Sequence, residues 1–145
     1  VPSHKKNVIH FRSAGWKFFD LIEGGVNVIQ QWYDAETEDA QFAFDKLLKQ
    51  NIKIQQPLEW LGYRHKLKKD KKNLVMKKVF ELEFSTPDNR ANRMMCVFDG
   101  ERRMVMLCGC YHKGNVWTPA GSLEATERRA KLVLEGKAIV RERKI

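Results

Sequence analysis

From Leu74 onward apolar side chains recur at every second position. Met76, Phe80, Leu82 and Phe84 fall on one side and Lys77, Val79, Glu81 and Glu83 on the other, the period of two expected of a strand with one buried face. Turn-forming residues from Ser85 to Asn89 break the pattern. Residues 93 to 98 and 103 to 111 then predict two more strands, joined through Asp99-Gly100, whose glycine supplies the backbone angles of a tight hairpin. Three strands in succession predict an antiparallel meander. Upstream, residues 16 to 21 predict a first strand that ends at Gly24-Gly25. The spacing then turns helical, with one stripe at Val28, Ile29, Trp32 and Tyr33 and a second at Ala40, Phe44, Leu47 and Leu48. This predicts a helical hairpin or one bent helix, closed by Asn51 and Pro57. Downstream, Thr118-Pro119 predicts a helix start, with Ser122 as a rival cap, and Gly136 predicts its stop just after Glu135.

The predicted fold class is therefore α+β, in a single domain over residues 1–145: N-terminal strand, helical hairpin, three-stranded antiparallel meander and C-terminal helix, with the helices on one sheet face. Residues 1–14 lack a period and read as an N-terminal extension or an edge strand. Residues 137–145 form a charged tail that is expected to fray. The second sheet face, with Glu81, Glu83, Arg93 and a terminal His112, is expected to be a polar concavity rather than a second core.

Composition adds a class of partner. Hydrophobic residues at 43% and charged residues at 31% are ordinary for a soluble domain. The longest apolar run, residues 104 to 111, falls far short of the roughly 18 residues of a membrane span, and no apolar stretch follows the basic start, so a cytoplasmic protein is expected. The net charge of +9 favours a polyanion, because clustered cations gain affinity by releasing counterions from phosphates. Between Tyr63 and Lys78 the chain holds Arg64, Lys66, Lys68, Lys69, Lys71, Lys72, Lys77 and Lys78 against Asp70 alone, with Trp60, Tyr63 and His65 at the near end. A solvated loop is the plain reading of that run and a nucleic-acid surface the functional one. Cys96, Cys108 and Cys110 lack C-x-x-C spacing. Cys108, Cys110 and His112 share a strand parity, which is one way to hold a metal; buried reduced thiols are the simpler account, and no metal or other cofactor is expected.

At this point the motifs resemble a family. "FELEF" (80 to 84), "NRMMCVFDGERRMVMLCGCYHKGNVWTP" (92 to 119) and a helix with Glu124, Arg129 and Ala130 are similar in order and spacing to the phage-derived HigB-like branch of the RelE/ParE toxin superfamily. The resemblance covers roughly residues 16 to 136. It implies a RelE-like fold and the toxin of a type II toxin–antitoxin module: a metal-independent endoribonuclease that enters the ribosomal A site, beside 16S rRNA, and cuts translated mRNA. It also implies a small helix-turn-helix antitoxin as partner. A minority of the superfamily poisons gyrase instead, and a non-catalytic basic protein that binds nucleic acid or antitoxin is a third outcome.

Cutting RNA without a metal takes a base for the 2′-hydroxyl, cations for the phosphorane and an acid for the leaving oxygen. Arg93 matches the family's arginine at the start of the second meander strand and suits a bidentate grip on phosphate. His112 and Lys113 match the basic pair that ends the third strand, as acid or base and as electrostatic clamp. Arg64, Lys66, Lys68 and Lys69 are expected to bind RNA backbone, and Tyr111 and Trp117 to stack on unpaired bases. Glu81 and Glu83 stand where many family nucleases carry basic residues, and are read as a possible general base or as a source of repulsion. Plainer readings are a cross-strand pair for Arg93, a solvent-exposed strand end for His112, and partial burial for both aromatics.

Overall fold

The computed structural model describes residues 15–65 and 73–145. The first strand, β1 (Lys17–Glu23), turns on Gly24 and Gly25, both at positive φ, into the short β2 (Val26–Asn27). The helical hairpin follows as α1 (Val28–Ala35) and α2 (Glu38–Asn51). Each helix begins where a polar side chain can accept from free backbone N–H groups: Asn27 from Ile29 and Gln30, Thr37 from Ala40. The chain then supplies β3 (Tyr63–Arg64), β4 (Phe80–Ser85), β5 (Ala91–Phe98), β6 (Arg103–Lys113), β7 (Val116–Thr118), α3 (Ser122–Leu134) and β8 (Ile139–Glu142). The predicted meander is present as β4, β5 and β6.

The strands form one mixed sheet in the order β2-β1-β6-β5-β4-β3, with β7 added to β6 and β8 to β1. β1 runs parallel to β6 and pairs Lys17–Asp20 with Arg103–Met106. The fold is α+β, and three features depart from the sequence reading. Helices cover both faces: α1 and α2 bury Phe18, Phe44, Phe80, Leu82, Met94 and Met104, while α3 closes a second core of Leu21, Met95, Val97, Val105, Leu107 and Val133. The alternation on β4 concealed this second core, because its own odd positions are Glu81 and Glu83. The charged tail is not frayed. β8 pairs with β1, and Arg143 reaches back to Asp20 at 2.8 Å with its guanidinium over the Tyr33 ring. Finally, Thr118 ends β7, and α3 starts four residues later, at Ser122, behind Gly121 at φ 81°. The stop at Gly136 is as predicted: Lys137 N–H donates to Leu132 C=O and Gly136 N–H to Val133 C=O, the Schellman pairing that a positive-φ glycine permits. Among the described residues no helix is long and apolar enough to cross a membrane.

One irregularity positions everything below. Met95 faces Cys108 and Cys96 faces Met106, so Leu107 is an extra residue on β6. Beyond this bulge the parity of β6 is reversed. Val105 and Leu107 lie on the α3 face before it, and Cys108 and Cys110 lie on that same face after it.

Candidate functional site

The reversed parity brings His112 onto the same face as Arg93, Glu81 and Glu83. Arg93 lies across from Glu83 on one side and from Cys110 on the other, so its guanidinium sits at the middle of the β4–β5–β6 ribbon. Its Nε is 3.3 Å from Glu81 Oε2, its Nη1 is 3.3 Å from Glu83 Oε1, and its Nη2 is 3.3 Å from His112 Nε2. An arginine can only donate. The imidazole Nε2 is therefore the acceptor, and Nδ1 carries the proton that it donates to Gly114 C=O at 3.0 Å. Trp117, paired with His112 across β6 and β7, lays its ring 4.7 Å from the imidazole. The ring and the Gly114 carbonyl fix the imidazole from two directions.

Burial divides the two carboxylates. Glu81 is 3% exposed and Arg93 5%, whereas the Glu83 side chain keeps about a quarter of its surface, 27%, in solvent. Arg64, at the open edge on β3, approaches Glu83 from outside at 3.6 Å. Glu81 thus acts as a buried counter-charge that orients Arg93, and Glu83 is the carboxylate a ligand can reach. Two carboxylates, two guanidiniums and a neutral imidazole leave the cluster close to electrically balanced.

Other predicted residues go elsewhere. Period two turns Tyr111 and Lys113 to the face opposite His112. Tyr111 there carries the Arg90 guanidinium 4.3 Å over its ring, with Arg90 also paired to Glu36. Trp60 is core, donating to Ile54 C=O. Lys66, Lys68 and Lys69 lie outside the described residues. Comparison of the chain with protein-family models, with curated proteins and with solved structures gives no match.

Two contributions were missed by reading the sequence. The bulge itself has no sequence mark, since Leu107 is one apolar residue among many. Arg129 on α3 donates through Nη1 to the Leu107 carbonyl at 2.7 Å, satisfying an acceptor the bulge displaces, while its Nε binds Glu23. Cys108 and Cys110 share the α3 face, but among the described residues no group of three or more His, Cys, Asp or Glu side chains is arranged to hold a metal. Cys96 is fully buried, and that burial, reinforced by the charge of Glu81, raises its thiol well above the usual range.

Proposed function

We propose that the protein is a metal-independent endoribonuclease of the RelE/HigB type, the toxin of a two-component toxin–antitoxin module that cuts mRNA on the ribosome. One observation carries the reading: a guanidinium held between a carboxylate and an imidazole on three adjacent antiparallel strands, 3.3 Å from each. That set supplies the three services of RNA transesterification. Glu83 takes the 2′-hydroxyl proton as that oxygen attacks the adjacent phosphorus. Arg93 donates to the phosphorane oxygens, and His112, once protonated at Nε2, gives its proton to the departing 5′-oxygen. The products are a 2′,3′-cyclic phosphate and a free 5′-hydroxyl. Phosphate arriving at Arg93 competes with the imidazole for Nη2, which frees Nε2 to take up the proton it later delivers. Trp117 offers a flat surface beside the acid for a base next to the scissile bond. The expected strand, helical hairpin, meander and helix are all present; β2, β3, β7 and β8 are additions to them.

The test is brief induced expression in a bacterial host, followed by mapping of 5′ ends on a translated mRNA and on the same mRNA without its start codon. Cuts confined to the translated message, and lost in His112→Ala, are expected. Unaffected growth with intact messages would overturn the reading. One feature favours a second reading, a non-catalytic basic binding protein: Arg93 is already balanced by two carboxylates. That reading predicts salt-sensitive RNA binding without cleavage.

A further inference from the structure

β6 carries two thiols that the cleavage chemistry does not use. Cys108 and Cys110 are buried, free and two residues apart on the α3 face. A strand advances about 3.3 Å per residue, which places their Cα atoms about 6.6 Å apart, at the upper end of the ~4.4–6.8 Å that a disulfide spans. Their Cβ atoms stand about as far apart, against the ~3.5–4.5 Å that a disulfide requires, so such a bridge closes only if the strand contracts. A strained bridge is easily reduced, which is the character of labile rather than structural disulfides.

Cys108 also borders a cavity. β1 pairs with β6 only as far as Met106, and β7 only from Tyr111, so among the described residues no strand pairs with that edge of β6 between them. A cavity of about 600 Å³ fills this gap between α1 and the start of α3, with Cys108, Trp32, Gly109, Ser122 and Arg129 in its wall. The neighbouring Cys110 thiol foremost, with the charge of Arg129 and the nearby Ser122 and Thr126 hydroxyls, lowers the Cys108 thiol below the ordinary range. Its neighbour and burial push the Cys110 thiol up. A low thiol beside a protonated one is the pairing of an attacking and a resolving cysteine.

We propose that Cys108 and Cys110 are a hydroperoxide-reactive dithiol whose closure to a disulfide disturbs the Arg93–His112 contact. The Cys108 thiolate attacks the distal oxygen of the hydroperoxide, the O–O bond breaks, and the alkoxide takes up the proton that the Cys108 thiol released and leaves as an alcohol, with a sulfenic acid on Cys108. The Cys110 thiol then displaces that hydroxyl, forming S–S and releasing water with the Cys110 proton. Sulfur loses two electrons and the peroxide gains them. Cys110 lies directly across from Arg93 and two residues before His112, so contraction of β6 acts on both. The thiol chemistry stands by itself; its effect on activity rests on the cleavage reading above.

The experiment adds equimolar hydrogen peroxide to the folded, full-length chain, alkylates with iodoacetamide, and weighs the tryptic peptide of residues 104 to 113. The peptide is expected two hydrogens lighter and unalkylated, distinct from methionine sulfoxide, and to be restored by dithiothreitol, while Cys96 stays unmodified. Cys110→Ser is expected to stop at a sulfenic acid that dimedone traps. In parallel, the ring resonances of His112 are expected to shift on oxidation. Two thiols still alkylated after peroxide, or a disulfide that leaves His112 unmoved, would overturn the proposal. If the reduced protein fails to cut translated mRNA, the cleavage reading falls, and peptide mass and imidazole resonances still judge the dithiol.

Discussion

Arg93 is held by charge and His112 by shape, and the two respond differently to substitution. Arg93→Ala leaves Glu81 buried opposite a lost partner, and breaking a buried pair in this way costs about 3–5 kcal/mol. Urea unfolding is expected to show that loss, with Glu81→Gln in the same background recovering part of it. His112→Ala removes no charge pair. It is expected to keep the urea midpoint while lowering cleavage by about 10²–10⁴-fold, the usual worth of one general acid. Gly109→Ala tests the floor beneath the site, because a methyl there would lie 2.2 Å from the Trp32 ring. Neither β6 nor a ring packed on Phe44 can yield that distance cheaply, so a loss of about 1–3 kcal/mol is expected by thermal melting. At this scale the sequence was partly legible. Alternation put Glu81, Glu83 and Arg93 together, and it equally requires that Tyr111 and Lys113 face away from His112. That His112 joins the former group depends on Leu107 being bulged, which no residue type announces.

Between elements, Glu23 ties β1 to α3. Arg128 grips both its carboxylate oxygens and Arg129 adds a third contact, all at 2.9–3.0 Å. The hydrogen bonds from Arg128, followed by those from Arg129, lower the Glu23 carboxyl from 4.5 to about 2. A carboxyl depressed in the folded state adds stability above its unfolded value and loses it as the pH falls towards the folded value. The midpoint difference between wild type and Glu23→Gln is therefore expected to be constant at neutral pH and to close between pH 4.5 and 2, as read by urea titration at each pH. Since Arg129 also holds the bulge carbonyl, the same tie bears on His112. The elements with the strongest local patterns, β4 to β6 and α1 to α3, were readable because propensity, period and turn residues agree there. β8 was not. Its last two residues, Arg141 and Glu142, and the two that follow, Arg143 and Lys144, are all charged, and the sequence does not say that Arg143 turns inward to Asp20.

Across the whole molecule the two kinds of cation are used differently. The buried and half-buried ion pairs are made by arginine, at positions 90, 93, 129 and 143, while Lys77 and Lys78 stand exposed on the turn that leads into β4. Among the described residues Lys77 and Lys78 thus present positive charge beside Tyr63 and His65, near the β3 edge where Arg64 borders Glu83. On the cleavage reading proposed above, a surface of this kind would give binding without sequence choice, and the small acid–base cluster at its margin would select the bond. If about four phosphates of a single strand are neutralised, the affinity should fall with a log–log salt slope of about −3, and removing two contacts should reduce that slope by about 1.4. Lys77→Ala with Lys78→Ala is therefore expected to flatten the salt dependence of RNA binding, measured by fluorescence anisotropy, and to weaken binding to all sequences alike. Cleavage at saturating RNA should be unchanged, because neither lysine contacts Arg93, Glu83 or His112 among the described contacts. A double variant with the wild-type salt slope would mean that RNA reaches the cluster from the β7 side, past Trp117.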